Sequence, residues 1–434
     1  MVPETTGPEG QRPGNKPTPQ EPTGEPDSSI DPEASITPGS QPSTADMLSS
    51  VLTTLPRIQV QPHAASELLS KALSPLPDEK AAETLLAVLK YPEVAKNATA
   101  LSAALIALTK IDPKRALPEL ESALKSDYRD VRKTATSLLY NIVKDSPDET
   151  LVRESEDLLI QYLSREEQEN DWHMLNDAIH ALDGTGRKTA MDALIKYLDH
   201  PEDMIRTDAR KTLLSVERDA LLDHLLSRLA EADRTEPTAT DNKIIDLVVD
   251  ISRQSDTDTF LQILKEDGND LKKIAAVRSL GKISEKIVGG YSPQLRLIRH
   301  ELLGLVSFRG NSSSVKEEAL AALGKNSYAD QYSLQIVKEA LFQAVANEMF
   351  IPLVKKERQQ AGESLGQIGA SSDLPRLFRA YRKNALIPLY VWPIETAMDG
   401  IYKRLTTSQK LRWRLEKMAL YPKLFLHLLV AGRS

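Results

Sequence analysis

The sequence predicts an all-α solenoid of about nine helical hairpins. Three observations carry that prediction. The first is a recurring phrase: a small residue, Leu or Ile four positions later, and often Gly next. It reads ALAALG at Ala319–Gly324, AVRSLG at Ala276–Gly281 and AGESLG at Ala361–Gly366, with looser copies from Ala135, Ala178, Ala209 and Ala397. The second is apolar spacing: Val131, Ala135, Leu138, Leu139 and Ile142 share one helix face. The third is composition, 41% apolar but only 5% aromatic, which suits closely packed helix pairs better than β-sandwiches. No run of alternating β-branched residues bounded by turns stands out, so no sheet is predicted.

Each element follows from this frame. The small residue of successive units falls at Ala98, Ala135, Ala178, Ala209, Val248, Ala276, Ala319, Ala361 and Ala397, a mean spacing of about 37 residues. That length fits two helices and their turns. One hairpin is visible at 189–214: TAMDALIKYL, the turn DHPED, then MIRTDARKTLL. Asp199, His200 and Pro201 supply its turn and cap chemistry. A second is ALPELESAL, the turn KSDYRD, then VRKTATSLLYNI. Ala lets two helices approach closely while flanking Leu and Val interdigitate. The Gly that follows is expected at the helix end, as a left-handed C-cap. On this reading no copy of the phrase is a site, and recognition residues lie between the copies and at the two ends of the chain.

DYRDVRKTA at Asp127–Ala135, VKEEALAALG at 315–324 and ERQQAGESLGQIG at 357–369 resemble the HEAT-repeat superfamily, nearest to its short bacterial PBS-lyase-like form. The resemblance covers roughly 90–402 and implies a right-handed α-solenoid. The Val-Arg pair of the pattern is kept at Val131-Arg132 and approximately at Ile205-Arg206 and Val315-Lys316; residues 230–255 depart most. Relatives in the superfamily include phycobilin lyases and a DNA glycosylase branch. The first has no support beyond the likeness. The second would need a basic cleft with aromatic contacts.

Charge argues against that cleft. The 434 residues carry a net charge of −7, distributed as −6 over 1–46, about −10 over 47–352 and +9 over 353–434. A duplex-DNA binder is basic along its main face, so no nucleic-acid partner is expected. There is no Cys, which removes disulfides, thiolate catalysis and Cys-ligated metals. No apolar run approaches a membrane span, and the first residues lack the apolar core of a signal peptide.

Residues 1–45 contain ten Pro and five Gly and no aromatic residue, and are expected to be a disordered tail. The composition is similar to the tethers of bacterial lipoproteins, with Met1 standing where a lipidated cysteine would be. A tethered cell-envelope protein is therefore the expectation, and a cytoplasmic one the alternative. Residues 46–402 form the solenoid and 403–434 a basic, apolar cap.

Tests for chemistry are mostly negative. His173, Asp177 and His180 fall at i, i+4 and i+7 of one helix and are the only suggestive metal set; the alternative is three surface side chains beside Trp172. There is no G-x-S-x-G elbow and no phosphate-binding loop. Gly289-Gly290 reads as a loop between units. The acid pairs Glu166-Glu167 and Glu202-Asp203 read as solvated faces. No cofactor is expected.

The C-terminal bases are weighed separately: Arg376, Arg379, Arg382, Lys383, Lys403, Arg404, Lys410, Arg412, Arg414 and Lys417, followed by apolar YPKLFLHLLVAG. One reading is a capping helix with solvated bases. The other is a docking surface for an acidic partner or for anionic lipid headgroups. The expected function is a non-enzymatic scaffold that binds a protein partner along an extended surface. The alternatives are a peripheral membrane or polyanion binder and a metal-dependent or lyase-like enzyme.

Overall fold

A computed structural model describes residues 61–419 except positions 170, 233, 267, 288–291, 309, 326–330, 347–354 and 384–387. The proline-rich tail, the Gly289-Gly290 loop and the apolar run after Ala419 lie outside the described residues.

Among the described residues the chain is helical without strands. In chain order the helices are α1 Pro62–Leu73, α2 Asp78–Leu89, α3 Pro92–Ala95, α4 Ala98–Ile111, α5 Pro113–Leu124, α6 Arg129–Asp145 and α7 Glu149–Glu169. Then come α8 Trp172–His180, α9 Lys188–Lys196, α10 Asp203–Leu214, α11 Arg218–Glu231, α12 Ala239–Ile251, α13 Thr257–Lys265 and α14 Asp270–Lys286. The last are α15 Pro293–Ser307, α16 Ser313–Lys325, α17 Gln331–Ala346, α18 Lys355–Ile368, α19 Leu374–Lys383, α20 Pro388–Arg404 and α21 Thr407–Ala419.

These helices form two layers. Helices α1, α4, α6, α8, α10, α12, α14, α16, α18 and α20 make the first, each packed beside the next in the row. One junction differs: α12 packs chiefly on the 3-10 turn Tyr197–Asp199 and on α9. Helices α5, α7, α9, α11, α13, α15, α17 and α19 make the second layer, each paired with the first-layer helix that follows it. With α2 paired to α4, nine hairpins lie between α1 and α21 among the described residues. The array is HEAT-like, as the resemblance implies.

The turns are built by side chains that accept hydrogen bonds from free helix N–H groups. Asn97 caps α4, Asp112 caps α5 ahead of Pro113, Asp171 caps α8 and Asn269 caps α14. Thr238 and Asp241 form a reciprocal capping box at α12. The Val-Arg pair also serves its turn. Arg132 donates to the Ser126 carbonyl and Arg206 to the His200 carbonyl, each six residues back.

The recurring small residues do what the sequence predicts. Ala135, Ala178, Ala209, Val248, Ala276, Ala319, Ala361 and Ala397 are all fully buried in the first layer. The first copy is shifted. Ala98 begins α4 and is half-buried, whereas Ala104 and Leu108, with the same spacing, are fully buried.

The glycines correct the sequence reading. Gly281, Gly324 and Gly366 are buried within helices, and the only positive-φ glycine among the described residues is Gly184. Their use is close approach. A Cβ on Gly324 would lie 2.6 Å from the Ser364 Cβ, and one on Gly400 2.8 Å from the Gly366 Cα. Neighbouring first-layer helices touch backbone to backbone there. Glu166 is a second correction. It is 0% exposed, with Oε1 3.5 Å from the Arg132 Nε, because the α6–α7–α8 junction folds over it. Glu202 and Asp203 are exposed as predicted; the Glu167 side chain lies outside the described residues.

Replacing Gly324 by Ala should lower stability by about 1–3 kcal/mol, since Ser364 is held by a 2.7 Å hydrogen bond to the Leu320 carbonyl and cannot retreat freely. Gly304, exposed within α15 with open space around it, should gain about 0.5–1 kcal/mol on replacement by Ala. Urea denaturation of both variants tests the pair; the same sign of change in both would refute close approach as the reason for Gly324.

Candidate partner-binding face

The outward side of the first layer carries charges beside each buried small residue. Burying that residue turns its neighbours one or two positions away toward the adjacent unit. Lys133 on α6 reaches Asp177 on α8 at 4.0 Å, and His180 reaches Asp208 on α10 at 3.7 Å. Arg210 on α10 pairs with Asp250 on α12, which also holds Lys282 of α14 at 2.7 Å. Arg278 on α14 spans from Asp246 at 3.6 Å to Glu318 on α16 at 2.5 Å. Lys355 on α18 lies over the Trp392 ring on α20 at 5.0 Å. Burial would push the Asp250 carboxyl up, but hydrogen bonds from Lys282 and Arg210 outweigh it and hold the group below its ordinary value. Arg278 likewise stays charged: burial opposes its charge, and Glu318 and Asp246 outweigh that.

Two grooves open on this layer. One, of about 700 Å³, lies between α1, α4 and α6 and is lined by His63, Thr99, Ser102, Lys133, Ser137 and Asn141 among others. Its Ser102 hydroxyl is buried and has no hydrogen-bond partner among the described residues. The other, of about 560 Å³, lies between α12, α14 and α16. Its walls are Asp246, Arg278, Lys282, Glu285, Glu318 and Lys325; Val249, Gly281, Ala321 and Ala322 line it too. Residues of AVRSLG and ALAALG therefore line a groove. The sequence signal that could have found these residues is a charged side chain one or two positions from each buried small residue.

The structure separates the metal set. His173, Asp177 and His180 share α8 as predicted, but Asp177 turns to Lys133, His180 turns to Asp208 and His173 is exposed. Among the described residues no three His, Asp or Glu side chains are grouped as metal ligands would be.

The C-terminal bases divide. Arg376 is a structural group: it binds Glu339 on α17 through both terminal nitrogens at 2.5 and 2.8 Å and lies 3.6 Å above the Phe342 ring. Arg404 caps α18 by donating to the Gly366 and Gly369 carbonyls. Lys403 pairs with Asp399, Lys410 lies over the Tyr402 ring and Arg414 donates to the Tyr402 hydroxyl. Arg379 bonds back to its own helix; Arg382, Lys383 and Arg412 are exposed. The Lys417 side chain lies outside the described residues. The ten bases thus divide between structural partners and exposed positions on α19 and α21.

No family model matches the chain, and no curated protein does. Solved structures of helical-repeat form are similar to it. Kap121p bound to Nup53p is 14% identical, with 89% of this chain and 43% of that chain covered and a TM-score of 0.43. Kap121p bound to Pho4p is 13% identical over 88% and 48%, with the same TM-score. An engineered protein is 16% identical over 82% and 98%, with a TM-score of 0.30. The chain spans less than half the length of these Kap121p chains. Such values assign neither partner nor activity, and the architecture is read from the chain's own helices.

The Arg376–Glu339 pair predicts a pH dependence. The arginine's hydrogen bonds hold the Glu339 carboxyl below its ordinary value, against the opposing pull of burial. The folded value lies below the unfolded one of about 4.3, so the pair stabilises at higher pH and that stabilisation is lost as pH falls through the folded value. Glu339→Gln should lower the urea midpoint at pH 7, and the gap should shrink as pH falls below the unfolded value and close once it has passed the folded one; a gap independent of pH would count against the pairing. Arg404→Ala should cost about 1 kcal/mol through the lost carbonyl caps, whereas Lys383→Ala should change stability little.

Proposed function

We propose that this protein is a non-enzymatic scaffold that holds a protein partner along the outward side of its first helix layer. The observation that carries the reading is that both large grooves open on that one layer, α1–α4–α6 and α12–α14–α16, joined by a row of cross-unit ion pairs. An extended segment of a partner could lie across successive units, meeting hydroxyls and an amide near α6 and paired charges near α14. The small side chains lining the second groove let a partner's backbone come close, and the charged walls set which side chains it accepts. An array in which each unit touches only its neighbours suits such a surface better than a catalytic centre, which needs groups converging from several elements.

The test compares proteins retained by the full chain with those retained by Ser137→Arg and Ala321→Arg variants, which narrow one groove each. A partner held by the full chain should be lost, or weakened at least tenfold, with one of them while the melting temperature stays unchanged. An identical set of retained proteins in all three cases would remove the grooves from the function.

A further inference from the structure

We infer that the α19–α21 end of the array is a peripheral docking surface for an anionic lipid membrane. The inference stands apart from the grooves and does not depend on them. It begins with the rotation of α21. Trp413 is buried and meets Phe378 of α19 edge-on, with ring centroids 5.9 Å apart, which clamps α21 against α19. Leu411 and Leu415 are one turn apart on the opposite side, and they are 59% and 57% exposed. Two large apolar side chains one turn apart thus form a solvent-facing stripe on α21.

The flanks of that stripe say what it meets. At about 100° per residue, Arg414 lies roughly 60° to one side of Leu411 and Arg412 roughly 100° to the other. Both are exposed, and Lys410 lies on Arg414's side. α19 adds exposed Arg379, Arg382 and Lys383. The two helices together hold eight bases and one acid, Glu416, in a chain whose net charge is −7. An apolar crest flanked by long basic side chains fits the headgroup–acyl boundary, where the leucines enter and the basic stems spread toward phosphates. A groove of about 260 Å³ lined by Ser371, Ser372, Gln409, Arg412 and Trp413 lies on the Trp413 side of α21, away from the leucines, so a partner helix meeting the crest would find little there to interlock with. A lipid surface needs no matching shape. No described helix is long and apolar enough to cross a membrane, so the contact is a surface one.

The test is co-sedimentation of the full chain with vesicles of neutral phosphatidylcholine, or of phosphatidylcholine with about 30% phosphatidylserine, across a salt series. Binding should be at least roughly tenfold stronger to the anionic vesicles at 50 mM salt and should fall steeply by 500 mM. Leu411→Ser/Leu415→Ser and Arg379→Glu/Lys383→Glu should each lose most of it while the helical signal and melting temperature are kept. Three results would overturn the proposal: no binding at low salt, equal binding to both vesicle types, or binding unchanged in the double leucine variant. An acidic protein as the true partner, or cover of the leucines by the chain's own residues 420–434, would give the first result.

Discussion

Contact between backbones of successive first-layer helices is the constraint on which the rest of the molecule depends. A helix carrying ordinary side chains keeps its neighbour 8–10 Å away. Here Ala135, Ala178, Ala209, Ala276, Ala319, Ala361 and Ala397 stand at the contact, and toward the C-terminal end glycine joins them. Gly281 faces Ala322, Gly324 faces Ser364 and Gly366 faces Gly400. With no side chain between them the helices approach, and the Leu or Ile four positions on can enter the space between the layers. Without that approach the two layers could not share one continuous apolar core.

The charged surface follows from the same contact. When neighbouring helices lie close, side chains beside the buried residue come within reach of the next unit. That is why Arg278 can bridge Asp246 and Glu318, residues 32 positions before and 40 after it in the chain. A half-buried pair of this kind, still reached by solvent, contributes modestly to stability by itself. Its effect is on recognition: it settles which charges are already neutralised before a partner arrives. Glu285 and Lys325 line the same groove but lie outside these bridges, so they shape its potential differently from Arg278.

The sequence made the architecture legible because packing requirements repeat and single contacts do not. One phrase located eight second helices, and the spacing required a partner for each. What it could not show was distance. Gly after Leu looks like a left-handed helix stop, but 281, 324 and 366 are helical, the last two within the final turn, and only the neighbouring helix explains the missing side chain. Glu166 looks like a surface acid until Arg132, on the preceding hairpin, is seen beside it. Arg376 looks like part of a basic stripe until Glu339 appears 37 residues earlier. His173, Asp177 and His180 share a helix face, but two neighbouring units take the second and third away. In each case the missing information was the identity of the partner across the unit boundary, which no local spacing encodes.

The α10–α12 junction shows the consequence of interrupting the repeated contact. The sequence departs most from the repeat over 230–255, and there α12 rests on the Tyr197–Asp199 turn and α9. Val248 occupies the small-residue position and is fully buried, with a bulkier side chain than the Ala of the other units. One polar contact crosses the junction, Arg210 to Asp250; within the next hairpin Arg234 binds Asp241 at 2.7 and 2.8 Å, and Arg218 joins the Ile251 carbonyl to Asp256. Each unit touches only its neighbours, so the angle set at this junction is carried to every unit beyond it. The groove between α1, α4 and α6 and the groove between α12, α14 and α16 lie on opposite sides of that junction, so the packing of α12 on the Tyr197–Asp199 turn and α9 enters their relative placement.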